Sequence, residues 1–241
     1  MRGGSIASAR TSAVEPSPIR KLVDAISATP GVVGLHVGEP DFDTPAHIKQ
    51  AAIRALNAGY THYTNTAGIP ELREAIAEKL RRESGVDVDP ENEVLVTHGG
   101  YAAVYASFQA LIDPGDEIIL IEPAWTYDGF IALAGGIKVP CGLNSPSFEL
   151  TRDALESKVS DRTKLILVSS PNNPTGNMFS REELEIVAEV AKTRELLVLS
   201  DEVYEKLVYD GLTHYSVASF PDMRERTITV NSFSKTYAMT G

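Results

Sequence analysis

Apolar positions along this chain change their rhythm near residue 91. From there on, short continuous Val/Ile/Leu runs alternate with segments of helical spacing. Strands are expected at 94–97, 117–121, 137–143, 164–169, 196–199 and 226–230, with helices near 101–112, 125–134, 151–159 and 181–194. Ser180 followed three residues on by Glu183 forms a capping box that opens the last of these helices. Strands that are apolar on both faces belong in a parallel sheet covered on both sides. The expected class is therefore α/β, a mainly parallel sheet with helices on both faces, with no internal repeat or low-complexity tract.

The first ninety residues read differently. Residues 6–30 are mixed and broken by prolines, with a short helix expected over Pro18–Ala28. Val32–Val37 is β-prone and runs into the turn-rich stretch Gly38-Glu39-Pro40-Asp41-Phe42. Thr44 is placed to cap a helix with Pro45 in its first turn and Ile48, Ala52, Ala55 and Leu56 on one face. A second helix carries Leu72, Ile76 and Leu80 at helical spacing, and Gly85 stops it. Residues 1–5 carry no fold information.

Composition narrows the class. With 241 residues and 43% hydrophobic content, the chain can bury a sizeable core. Its longest apolar runs, such as Ile118–Ile121, are far too short to cross a bilayer. No secretory leader is visible, and one cysteine, Cys141, excludes an internal disulfide framework. Together these point to a reducing, cytoplasmic setting. A net charge of −11 argues against nucleic acid as a partner. The five histidines, His36, His47, His62, His98 and His214, show no metal-ligand spacing and read as ordinary polar or packing residues.

In α/β sheets ligands bind at the carboxyl ends of the strands, so the residues just after each strand carry the chemistry. His98-Gly99-Gly100-Tyr101-Ala102 opens a helix after 94–97; two glycines there permit either tight packing or close approach of an anion to free N–H groups. It is neither a dinucleotide fingerprint nor a Walker loop. Trp125, the only tryptophan, follows 117–121 and is core filler or a flat stacking surface. Pro171-Asn172-Asn173-Pro174-Thr175-Gly176 follows 164–169 as a stiff turn, and Pro174 restricts Asn173 so that its amide can be aimed. Ser200-Asp201-Glu202-Val203-Tyr204 ends 196–199 in a carboxylate that is costly to bury without a cation or a capping role. Ser232-Phe233-Ser234-Lys235 follows 226–230; alone this is a loop lysine as readily as an amine kept for a carbonyl. One ligand suits all five loops: a phosphorylated aromatic aldehyde with a basic ring nitrogen, pyridoxal 5′-phosphate.

From about residue 14 to its end the chain resembles the class I/II (fold-type I) aminotransferases, near the aspartate and aromatic aminotransferase subgroup. Gly38–Pro45, Gly68–Arg73, Asp113–Asp116, Pro171–Gly176, Ser200–Tyr204 and Ser232–Lys235 carry the resemblance. It implies that Lys235 is the Schiff-base lysine and proton carrier, and that Asp201 keeps the pyridinium nitrogen protonated. It further implies that Tyr204 and Asn173 hydrogen-bond the ring's phenolic oxygen and that Trp125 stacks on the ring. Backbone N–H groups of Gly100, Tyr101 and Ala102 would hold the phosphate together with the Ser232 hydroxyl. Tyr63 would reach the phosphate of a neighbouring subunit, which implies a homodimer, and Gly38, Asn173 and Trp125 would lie beside the substrate.

The resemblance also sets out what is expected to be missing. Residues 1–40 match an N-terminal arm with part of a small domain, and 41–241 match the cofactor-binding large domain, incomplete at its C-terminal end. A family strand that lies in the sheet beside 94–97 would follow Gly241, and then the small domain that grips the substrate carboxylate. The expected function is transfer of an amino group between an amino acid and a 2-oxo acid, 2-oxoglutarate being one partner, with this chain a fragment of the enzyme. The alternative is a fold-type I lyase, which shares the same lysine, aspartate and Asn-Pro-Thr-Gly features but needs no oxo-acid acceptor. A regulator would need an N-terminal winged-helix domain, which the first forty residues, short and weakly basic, are not expected to supply.

Overall fold

The computed structural model of the chain describes residues 6, 8–12, 14, 22–23, 25–26, 28–33 and 36–241. Of the expected helix over 18–28, Leu22, Val23, Ala25 and Ile26 are helical and Ala28 lies in a turn; its other residues fall outside those described. Ala9–Ser12 forms one helical turn, and Val32 and Val33 adopt no regular structure. The described part of the β-prone 32–37 run is therefore not a strand.

Five parallel strands form the sheet: β1 Glu117–Glu122, β2 Ile137–Gly142, β3 Thr163–Ser169, β4 Leu197–Asp201 and β5 Thr227–Val230, in the order β2-β1-β3-β4-β5. The helices are α1 Ala46–Asn57, α2 Pro70–Ser84, α3 Gly99–Leu111, α4 Asp128–Ala134, α5 Arg152–Glu156 and α6 Arg181–Thr193. Strand side chains alternate between two cores. Ile119, Ile121, Ile166, Val168 and Val198 pack under α6 through Leu184 and Val187. Ile118, Leu120, Leu165, Leu167 and Leu199 face α3 and α4 through Val104, Phe108, Phe130 and Ile131. Each fully buried Leu, Ile or Val contributes about 1.5–3 kcal/mol, so the two layers hold the three central strands rigidly.

Local signals account for several ends. Both capping-box bonds form, Glu183 N–H to Ser180 Oγ (3.2 Å) and Ser180 N–H to Glu183 Oε2 (2.8 Å). Gly85 ends α2 in the left-handed region, φ 68°. Thr151 caps α5 by accepting from Ala154 N–H.

Three expectations need correction. Residues 94–97 are not a strand: beyond the hydrogen bond from Val96 N–H to Ala67 O, no ladder partner lies beside them among the described residues, and backbone without a partner cannot join a sheet. Trp125 precedes its helix, which begins only at Asp128. Thr44 does not cap α1; Pro45 holds that position, and the Thr44 hydroxyl instead donates to the Ala238 carbonyl. The apolar stripe of α1 is real, yet none of its residues is buried; Leu56 lies open, as does neighbouring Ile53.

Candidate active site

Register places the site. Ser169, Asp201 and Val230 are aligned across β3, β4 and β5, so the three following loops leave the sheet at one level. The N-terminus of α3 is brought to that level by a missing side chain. A Cβ on Gly100 would sit 3.0 Å from Val203 Cγ1 and 3.4 Å from Val230 Cγ1, so glycine here lets the helix start close against the strand ends. Gly100 and Tyr101 lie in the first helical turn, where backbone N–H groups have no partner within the helix, and Ala102 follows at the fourth position. Ser232 caps the helical turn Phe233–Thr236, accepting from Ser234 N–H (3.1 Å) and donating to Ser234 Oγ (3.0 Å).

Asp201 is buried at 7% exposure and has no cationic partner among the described residues. Its Oδ2 accepts from the Tyr127 hydroxyl at 2.6 Å and its Oδ1 from Val203 N–H at 3.2 Å. No helix follows it, so it does not act as a helix cap. Burial raises its pKa, and the Tyr127 and Val203 donors only partly oppose that. Tyr127 is itself buried, and burial beside this carboxylate raises its pKa as well. Sequence reading missed Tyr127, which lies 74 residues from its partner.

Asn173 Nδ2 donates to the Tyr204 hydroxyl at 3.2 Å, which pairs the two residues expected at one ring oxygen. Asn172 secures the turn beneath: its Nδ2 donates to Pro123 O (3.0 Å), and its Oδ1 accepts from the Thr175 hydroxyl (2.9 Å). Lys235, half-buried, donates to Gly38 O at 2.5 Å and stands 5.9 Å from the centre of the Tyr204 ring. A cleft of about 670 Å³ opens beside it, lined among others by Gly38, Tyr204, Tyr209 and Tyr237. Trp125 meets Tyr101 and Tyr127 edge-on, with centroids 5.1 and 5.4 Å apart. Tyr63 is fully exposed, apart from these groups.

A sequence model of the family "Aminotransferase class I and II" matches residues 30–241. This chain belongs to that family. It is 46% identical over 235 residues to an aspartate aminotransferase of Pyrococcus abyssi, covering 96% of this chain and 60% of that protein. It is 44% identical to an aromatic-amino-acid aminotransferase of Thermococcus litoralis, again over 96% of this chain and 60% of the relative. Among solved structures, an aspartate aminotransferase of Thermus thermophilus with maleate superposes with a TM-score of 0.92 at 43% identity, covering all of this chain and 63% of that one. The chain thus spans about 60% of the length of these curated relatives. Aminotransferases of this family depend on pyridoxal phosphate.

The residues fit that group. Asp201 is a buried carboxylate whose charge lacks a counterion, which a protonated ring nitrogen would supply. The Gly100 approach leaves first-turn N–H groups of α3 level with the Lys235 loop.

One arrangement lay outside the expectations. Glu202, the next residue, turns to the opposite face of the sheet and is 1% exposed. Its Oε1 accepts from the Ser200 and Ser216 hydroxyls, each at 2.8 Å. Glu205 and His214 gather beside it, with one polar side-chain atom of each of the three within 4.8 Å of the others. Burial raises the Glu202 pKa from 4.5 to about 7, against the two serine donors. A raised acid pKa means the folded chain binds the extra proton, so stability falls as pH climbs from 4.5 through 7. The expected loss is about 3 kcal/mol, from 1.36 kcal/mol per unit. Asp201 contributes in the same direction, so the comparison must isolate Glu202. Urea unfolding at pH 5 and 8 is expected to show Glu202→Gln gaining on the unsubstituted chain by that amount; an equal gap at both pH values would contradict it.

Proposed function

We infer that this chain carries the cofactor-binding part of an enzyme that transfers an amino group from an amino acid to a 2-oxo acid, with 2-oxoglutarate as one partner. The observation that carries this reading is the buried Asp201 carboxylate, without a cationic partner among the described residues, at the level of the Lys235 loop. When bound, pyridoxal 5′-phosphate supplies an electron sink for the substrate Cα. Asp201 holds a proton at the ring nitrogen, helped by Tyr127, whose hydrogen bond fixes the carboxylate. Lys235 Nζ holds the cofactor and carries a proton to and from the substrate Cα. Asn173 and Tyr204 orient on the ring's phenolic oxygen, and Trp125 covers a ring face. Backbone N–H groups of Gly100, Tyr101 and Ala102, with the Ser232 hydroxyl, bind the phosphate. Gly38 and the cleft beside it receive the substrate carboxylate end.

The working form is a homodimer in which Tyr63 reaches the partner's phosphate. The open Leu56 of the α1 stripe and the exposed Phe42, Ile53, Tyr60 and Tyr63 support a partner surface. Residues 1–40 serve as arm and part of a small domain, and 41–241 as the large domain. A cytoplasmic setting is supported by a single, buried cysteine and by the lack, among the described residues, of a helix long and apolar enough to cross a membrane.

The test is acceptor dependence in the full chain. Amino-donor consumption is expected to require a 2-oxo acid and to yield the matching amino acid. Product release with no acceptor present would replace this reading with a lyase.

A further inference from the structure

Beneath the site, on the sheet face away from Asp201, Glu202 and His214, which the proposed chemistry does not use, tie together four segments. The Glu202 backbone N–H donates to Val230 O at 2.9 Å, linking the ends of β4 and β5. Its side chain joins Ser200 at the end of β4 to Ser216 in the following loop. His214 Nε2 sits 3.2 Å from Ser170 O, and a carbonyl only accepts, so that nitrogen carries the proton. Ser170 begins the turn that presents Asn173, and its own N–H donates to Asp201 O at 3.1 Å. Glu202 Oε2 is buried without a hydrogen-bond partner and lies 3.8 Å from His214 Nε2.

A metal ion suits this cluster poorly. Lys79 already occupies the Glu205 carboxylate in close contact, and His214 Nε2–H is committed to Ser170. The other charged groups about the pair are Glu83 and Lys206, which are bonded to each other. What the geometry offers is a fastening. Asn173 and Tyr204 form one hydrogen-bonded pair but stand on different loops, the first leaving β3 and the second leaving β4. The β3–β4 ladder aligns the roots of those loops, and the Glu202–His214 floor below adds a side-chain tie between them.

We propose that Glu202 and His214 are positioning residues that clamp the Asp201–Tyr204 segment against the Ser170–Asn173 turn and so set the Asn173–Tyr204 pair on the cofactor's phenolic oxygen. The clamp rests on the reading of the site as a pyridoxal-phosphate site. Loosening the pair weakens the hydrogen bonds that favour the ionised oxygen, and the pKa of the visible band of bound cofactor then rises.

The test titrates that band in the full chain loaded with pyridoxal phosphate, comparing His214→Leu and Glu202→Leu with His214→Gln and Glu202→Gln. The Gln variants keep, respectively, a donor toward Ser170 and an acceptor for both serines. Both Leu variants are expected to raise the band pKa and to weaken cofactor retention by about tenfold, the equivalent of roughly one net hydrogen bond, while the Gln variants restore both. A merely structural role lowers the melting temperature and leaves the band pKa in place; that result overturns the clamp. If Glu202→Leu does not fold, the less deeply buried His214→Leu decides alone. An unsubstituted chain with no visible band at all overturns the site reading and the clamp with it, whereas a normal band unmoved in the Leu variants overturns the clamp only.

Discussion

Replacing Lys235 with alanine is expected to abolish covalent retention of pyridoxal phosphate and to cut amino-group transfer by roughly 10²–10⁴-fold from the lost proton transfer alone. The amine is placed for this by the structure around it. Ser232 caps the helical turn that carries it, and Gly38 O accepts a hydrogen bond from Nζ at 2.5 Å, which aims Nζ toward the cleft. Alanine removes the amine and keeps the helical turn, so folding is expected to survive. Steady-state rates with melting curves check this. A Lys235→Ala chain that retains both rate and covalent cofactor would assign the amine elsewhere.

Asp201→Asn is the second large effect, and it separates chemistry from stability. Asparagine can still accept the Tyr127 hydroxyl's hydrogen bond, but it carries no charge to keep a ring nitrogen protonated. Loss of one preorganised electrostatic partner costs about 10²–10³-fold in turnover. Burial already raises the carboxyl's pKa, so the ionised form is unfavourable in the cofactor-free chain. The cofactor-free Asn variant is therefore expected to melt no lower than the unsubstituted chain at pH 8, while its rate with cofactor collapses. A large fall in melting temperature without cofactor would mean that Asp201 serves the fold first.

These two residues also show what a sequence discloses. Asp201 and Lys235 lie at or just after the ends of apolar runs, where a parallel sheet presents side chains to ligand. That placement follows from local pattern, while their roles came only from the five loops taken together and from the family resemblance. The capping box at Ser180 and the stop at Gly85 are equally local, because each is made within one turn of chain. Residues 94–97 failed for the opposite reason. Val94, Leu95 and Val96 have strand propensity, but a strand exists only where another strand accepts its bonds, and none does so among the described residues. Thr44 failed because its bond goes 194 residues away, to Ala238. Tyr127 and the Glu202–His214 pair stayed hidden because their partners meet only once the sheet has aligned β3, β4 and β5. Spacing along the chain carries no trace of such meetings.

The most direct measurement is borohydride reduction of the full chain with pyridoxal phosphate, followed by peptide mapping. A pyridoxyl group on the peptide containing Lys235, stoichiometric and absent from the Lys235→Ala chain, is the predicted result. Label spread over exposed lysines such as Lys49 and Lys206, or none on the Lys235 peptide, would contradict it.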